Sequence, residues 1–308
     1  MFCYSIIIPH KNTPDLLQFC LDSIPVRKDT QVIVVDDNSD PGKVDFDHFP
    51  QWNGEHYECY FTKAGKGAGY AQNVGLDHAK GKWVLIVGAD DYLLPSISDI
   101  MDEEIKTEAD IIYFRPKAVL LIDRTSPSTR ADAYNDMIDR YIITGDEVEL
   151  RCRFVSACSR FINRRLIEDN NIRFDEIVYS NDNLFSIKIG VCADRIKVRE
   201  KAFYCITESD STLTSHFLKK PGELQIRADA FFRAQIVVYE HGYPIDEHLS
   251  LIFLRKLLPI DRKAFVLNFK RLQKMGYKKK WLIHELFVGN SKKAAFKRKV
   301  YTFLVTLF

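Results

Sequence analysis

Several protein classes are excluded by what the sequence lacks. Its seven cysteines are odd in number and scattered, with no C-x-x-C pair. That argues against a disulfide framework or a cysteine zinc site and predicts reduced thiols in the cytoplasm. No apolar run reaches the roughly 18–20 residues of a membrane-spanning helix. Met1 leads straight into "FCYSIIIPH" with no basic leader, so no secretory signal is expected. There is no internal repeat and no low-complexity tract, and no nucleic-acid recognition motif.

What is present is an ordinary globular composition over 308 residues, 46% hydrophobic and 28% charged, enough for a main domain and a smaller one. The charge is unevenly placed. Residues 1–218 hold 25 Lys+Arg against 35 Asp+Glu, and residues 219–308 hold 19 against 7. An acidic body (1–218) and a basic helical region (219–308) follow, the second facing something anionic.

Along the body, "CYSIIIP" (3–9), "QVIVVDDNSD" (31–40), "YECYFT" (57–62), "KWVLIVGADD" (82–91) and "DIIYFRP" (110–116) read as strands. "TPDLLQFCLDSI" (13–24) reads as a helix with Thr13 able to cap and Pro14 in its first turn. "KAGKGAGYAQNVGLDHAKG" (63–81) reads as a glycine loop and helix, and "SISDIMDEEIKTE" as another helix. Further on come a strand or turn and then a helix ending near Asn170 in "ACSRFINRRLIEDNNIRFDE" (157–176), a short helix in 180–191 with Ser180 or Asn181 near its cap, and a strand pair or bent strand over 195–207. The alternation predicts an α/β fold with a mostly parallel sheet flanked by helices and a C-terminal helical extension. Ligands of such sheets bind beyond the carboxyl ends of the strands.

Two expected strands end in adjacent acids, Asp36-Asp37 and Asp90-Asp91. One such pair is compatible with a solvated turn, with general acid–base chemistry, or with a divalent cation. Two pairs at one sheet edge favour the cation reading, with Mg²⁺ or Mn²⁺ bridging to a diphosphate at one strand end while the other accepts hydrogen bonds from a base. Two glycine motifs fail on inspection. In "GKGAGYA", Tyr70 takes the place of the last glycine of a dinucleotide fingerprint. In "GLDHAKGKW", Trp83 replaces the Ser/Thr of a phosphate-binding loop.

The order of "SIIIPHKN" (5–12), "VIVVDDNSD" (32–40), "GAGYAQNVGLDHAKGKWVLIVGADDYLLP" (67–95) and "FDEIVYSNDNLF" (174–185) resembles family 2 glycosyltransferases, inverting enzymes of the A-type nucleotide-sugar fold. The resemblance spans about residues 4–215. It implies that Pro9, Asn12, Asp36, Asp37, Gly67, Asn73 and Asp90 face the nucleotide, with Asp37 on the base. It implies that Asp90 and Asp91 hold Mn²⁺ or Mg²⁺, and that Asp182 is the catalytic base; the bland alternative for Asp182 is a helix-start acid. His216 is a candidate third metal ligand, or else a surface or core histidine. Three positions depart from the family pattern: Gly88 where an Asp is usual, Gln72 where an Arg precedes the Asn, and Asn181 where a Glu precedes the Asp.

The expected activity is sugar transfer from a nucleotide-diphosphate sugar, with a UDP-sugar the expected donor, to a hydroxyl of a glycan or lipid-linked glycan in surface polysaccharide or lipopolysaccharide synthesis. The basic, aromatic-interleaved C-terminal helices suggest an anionic membrane surface at the inner face of the cell membrane as partner, and nucleic acid is not expected. A non-catalytic nucleotide-sugar-binding scaffold and a sugar-1-phosphate nucleotidyltransferase are the alternatives.

Overall fold

The structure, a computed structural model, describes residues 2–209 and 221–288. By its internal contacts the chain divides into two units, Met1–Phe217 and Leu218–Phe308.

The first unit opens with β1 (Tyr4–His10), α1 (Pro14–Asp22), β2 (Thr30–Asp37), β3 (Tyr57–Thr62), α2 (Ala68–His78), β4 (Trp83–Ile86), β5 (Tyr92–Leu93) and α3 (Ile97–Glu104). It continues with β6 (Ile111–Phe114), β7 (Lys117–Leu120), a 3₁₀ turn (Thr129–Ala131), α4 (Asp132–Thr144) and α5 (Val148–Cys152). It closes with β8 (Arg160–Asn163), α6 (Arg164–Asp169), α7 (Asn183–Cys192), β9 (Ile196–Arg199) and β10 (Tyr204–Glu208). The seven-stranded main sheet has the order β3-β2-β1-β4-β8-β6-β9, and a three-stranded sheet has the order β5-β10-β7. In the main sheet only β8 runs antiparallel to its neighbours.

The "IIIP" and "VIVV" runs are apolar on both faces because both faces are covered, as parallel strands require. Ile6, Ile8, Val32 and Val34 join Leu17, Cys20, Leu21 of α1 and Ile100, Met101 of α3 in one core. Their neighbours Ile7, Ile33 and Val35 point to the other face, against Ala71 and Leu76 of α2 and Phe185 and Ile189 of α7. The period of two along each strand therefore builds two cores. Each fully buried Ile or Val contributes about 1.5–3 kcal/mol.

Four local expectations change. β4 stops at Ile86, so the acids that follow stand in a turn: Asp91 N–H bonds back to Gly88 C=O at 3.1 Å. Of the two readings of 195–207, two strands are found rather than one bent strand, but β9 and β10 lie in different sheets and are not paired. Thr13 precedes α1 without a side-chain capping bond; His10 Nε2 accepts its N–H instead. The N-cap of α7 is Asp182, not Ser180 or Asn181.

The second unit contains α8 (Pro221–Glu240), α9 (Glu247–Ile260), α10 (Arg262–Lys274) and α11 (Lys279–Val288). Phe231, Phe232, Phe253, Leu254, Leu257, Phe265 and Phe269 are buried among them. Asp246 and Asp261 cap α9 and α10 by accepting from Leu249 N–H and Ala264 N–H. Among the described residues no helix is long and apolar enough to cross a membrane.

Candidate active site

β1, β2 and β4 run parallel, with His10 beside Asp36 and Ile7 beside Ile86, so the acid pair that ends β2 and the pair that follows β4 stand at one edge of the sheet. Their surroundings differ. Asp36 is buried, its Oδ2 2.7 Å from His10 Nδ1 and bonded by the Ser39 hydroxyl at 2.5 Å, its Oδ1 accepting Ser39 N–H at 2.9 Å. Burial pushes this carboxyl up, but the His10 and Ser39 hydrogen bonds outweigh it and hold the carboxyl below the usual range. Asp36 is thus a clamp between the β1 and β2 ends.

Asp37 reaches the glycine loop. Its carboxylate accepts from Lys66 N–H at 3.0 Å and Gly67 N–H at 2.7 Å, and Lys11 Nζ lies 3.3 Å away. Gly67 has φ +96°, which fits glycine, and it precedes α2. Asn12, also at positive φ (61°), donates its backbone N–H to Ser39 Oγ, and its side-chain oxygen accepts Asp40 N–H. Pro9, half-buried, lies beside Val35 in the last rungs of β1. Asp37 and Gly67 are therefore in direct contact, while Asn12 joins the β1 and β2 loops.

The second pair is the chemical centre of the edge. Asp91 is buried; Tyr204 donates its hydroxyl to Oδ2 at 2.5 Å and Thr207 its N–H to Oδ1 at 2.7 Å. The Tyr204 hydroxyl also accepts Gly88 N–H at 3.0 Å, and the Thr207 hydroxyl donates to Asp90 C=O at 2.7 Å. Burial first, and then the Asp90 charge, push Asp91 up to about 7, although Tyr204, Thr207 and Arg130 act the other way. Burial likewise raises Asp90, opposed by its own backbone N–H and by Arg130. A Cβ placed on Gly88 would lie 2.9 Å from Asp90 Oδ1 and 2.9 Å from Asp91 Oδ2, so the two oxygens converge over the bare glycine.

Among the described residues no three His, Cys, Asp or Glu side chains cluster to hold a metal. Mg²⁺ and Mn²⁺ need no such cluster: one or two carboxylates suffice when phosphate and water complete the shell. Two converging, repelling, desolvated oxygens fit that use, with Asp90 the more accessible of the two. His216 lies outside the described residues.

Asp182 stands half-buried ahead of α7, its C=O accepting Ser186 N–H at 2.8 Å. The Cys158 thiol is pushed up to about 12, by burial first and then by the Asp91 and Asp182 charges, against Tyr204 and Arg160. Asn73 does not stand alone: its side chain donates to Phe174 C=O at 3.0 Å and accepts Phe174 N–H at 2.9 Å. Sequence reasoning missed Tyr204, Thr207 and Arg130. "FYCIT" carried only a strand signal, and nothing local says that this strand returns to the acid turn.

The Glycosyl transferase family 2 model matches residues 5–170. The chain belongs to this family. As a family 2 glycosyltransferase it is similar to the uncharacterized glycosyltransferase EpsJ of Bacillus subtilis, with 24% identity over 276 residues, covering 83% of this chain and 76% of EpsJ. It is also similar to the poly(ribitol-phosphate) β-N-acetylglucosaminyltransferase TarS of Staphylococcus aureus, with 28% identity over 220 residues covering 68% of this chain and 36% of TarS. This enzyme is thus related to teichoic acid glycosyltransferases while spanning about a third of TarS. The crystal structure of TarS 1–349 in complex with UDP-GlcNAc superimposes with a TM-score of 0.62 at 21% identity, covering 88% of this chain and 81% of that one. The mannosyltransferase PcManGT of Pyrobaculum calidifontis, in complex with GDP-Man and Mn²⁺, gives 0.53 at 16% identity, covering 99% and 79%. These likenesses carry the fold, the A-type transferase sheet.

Proposed function

We propose that this glycosyltransferase moves a sugar, with inversion, from a UDP-sugar to a hydroxyl of a surface glycan or lipid-linked glycan. The observation that carries the reading is the convergence of Asp90 and Asp91 over Gly88 at the carboxyl edge of the sheet. The UDP-GlcNAc bound by TarS and the polymer named as its acceptor support the choice of donor and acceptor class.

Asp90, with Asp91 behind it, would hold Mn²⁺ or Mg²⁺ against the donor diphosphate. When bound, that cation neutralises the charge developing on the leaving diphosphate. Asp37, through Lys66 and Gly67, shapes the loop that opens α2 beside the donor. Asp182 takes the proton from the acceptor hydroxyl. The hydroxyl oxygen bonds to the anomeric carbon from the face opposite the phosphate, and the carbon–oxygen bond to phosphate breaks with its electron pair leaving on the diphosphate. A positioned base contributes about 10²–10⁴-fold.

The test is UDP release from a panel of UDP- and GDP-sugars with Mn²⁺ and glycan acceptors, with UDP binding followed by calorimetry. Asp90→Asn should lose cation-dependent binding and turnover. Asp182→Asn should keep binding and lose turnover; wild-type turnover in that variant refutes the base, and cation-independent binding refutes the acid turn.

We further propose that the second unit lies on an anionic membrane surface at the inner face of the membrane. Lys263, Leu267, Lys270 and Lys274 are exposed along one stripe of α10. Flotation of the full chain on anionic vesicles should weaken on charge reversal at Lys263, Lys270 and Lys274; no flotation of the unaltered chain refutes this location.

A further inference from the structure

The loop before Asp182 is tied to α2 at three points on one helix face. Gly69, Gln72 and Asn73 stand at i, i+3 and i+4, so they share that face. At Gly69 the fit is too close for a side chain: a Cβ would lie 2.0 Å from Asp175 C=O. Asn73 pairs with both backbone groups of Phe174. Gln72, nearly buried, accepts from Asn181 Nδ2 at 2.8 Å through its Oε1. The loop closes on itself where Asp175 N–H bonds to Asn181 C=O at 3.1 Å, and Phe174 stacks on Phe185 of α7, with ring centroids 3.8 Å apart.

The two positions that depart from the family pattern in this region, Gln72 and Asn181, are therefore each other's partners. Both are neutral amides, so the bond needs no buried charge and no counter-ion. It is the last side-chain anchor before Asp182, and it belongs to the helix whose entrance Asp37 holds through Lys66 and Gly67.

We propose that the Gln72–Asn181 amide bridge is a positioning pair that sets Asp182 against the acid turn, coupling the donor-side helix to the base. This rests on the reading of Asp182 as base. An error of about 1 Å in such placement costs up to about 100-fold in rate. The bridge should act on the chemical step more than on donor capture, because neither amide belongs to the acid turn.

The experiment compares the full chain with Gln72→Leu, Asn181→Ala and the exchanged pair Gln72→Asn with Asn181→Gln, which keeps one long and one short amide. The expected result is a fall in kcat of about 10- to 100-fold in each single variant, with KM for UDP-sugar unchanged and the melting temperature lowered by only a few degrees, and recovery in the exchanged pair. Amide hydrogen exchange over 174–186 should quicken in the single variants and not over 83–91. Wild-type kcat and exchange in both single variants overturn the proposal. So does a loss that falls equally on donor KM and melting temperature. If Asp182→Asn keeps wild-type turnover, the base assignment falls, and the exchange measurement still judges the bridge.

Discussion

Replacing Tyr204 by Phe removes one oxygen from the centre of the site. That oxygen donates to Asp91 at 2.5 Å and accepts Gly88 N–H at 3.0 Å in a fully buried position. A hydrogen bond to a charged group contributes about 1.5–3 kcal/mol, and a stranded buried amide costs about 1–3 kcal/mol. Both losses share one void, so they do not simply add, and the expected destabilisation is about 2–4 kcal/mol. Its pH dependence follows from Asp91. The folded carboxyl titrates at about 7, above its unfolded value of about 3.9. The folded state therefore binds the proton more tightly, and stability falls as pH rises from about 4 to about 7. The Tyr204 hydroxyl favours the ionised form and limits that fall. Without it Asp91 titrates higher still, and the fall continues to higher pH. Urea unfolding of Tyr204→Phe should show a deficit that is smaller near about pH 6 than near about pH 8.5, at unchanged m. A deficit below about 0.5 kcal/mol, or one equal at both pH values, refutes the idea that β10 holds the acid turn.

Three further outcomes are expected. Gly69→Ala gains about 1 kcal/mol of helix propensity but drives a Cβ to 2.0 Å from Asp175 C=O, so it should lower the urea midpoint and quicken exchange in 174–182. Gly88→Asp crowds the Asp90 and Asp91 oxygens and adds a like charge; it should cost about 1–3 kcal/mol without metal and respond more strongly than wild type to Mn²⁺ in a thermal melt. Asp36, whose folded carboxyl is depressed, contributes stability that is present above its unfolded value and lost as pH falls through the folded one; Asp36→Asn should therefore lose about 1–3 kcal/mol near neutral pH and flatten the acid limb of the stability profile.

The sheet was legible because its strands are short apolar runs with clear ends, and the two Asp-Asp pairs marked where the sheet gives way to loops. Chain order does not encode which strands become neighbours. β8 reads as a strand or turn in sequence, yet it lies antiparallel between β4 and β6. Tyr204 and Thr207 sit more than a hundred residues from the acids they bond. The acid pairs look alike in sequence, but Asp36 is saturated by His10 and Ser39 while Asp90 and Asp91 repel in a buried turn. Environment separates them, and environment is a property of the folded chain. The departures Gln72 and Asn181 were visible as oddities; that they meet was visible only in three dimensions.

The reversed direction of β8 has its own consequence. Because β6 leaves the sheet and β8 re-enters it at one edge, with Tyr113 beside Arg160 and Phe114 N–H bonded to Ser159 C=O, residues 115–159 form an excursion whose two ends meet on neighbouring rungs. That excursion carries β7, which pairs with β10 beside Tyr204 and Thr207, so the strand that buttresses the acid turn is itself braced by a detour from the main sheet.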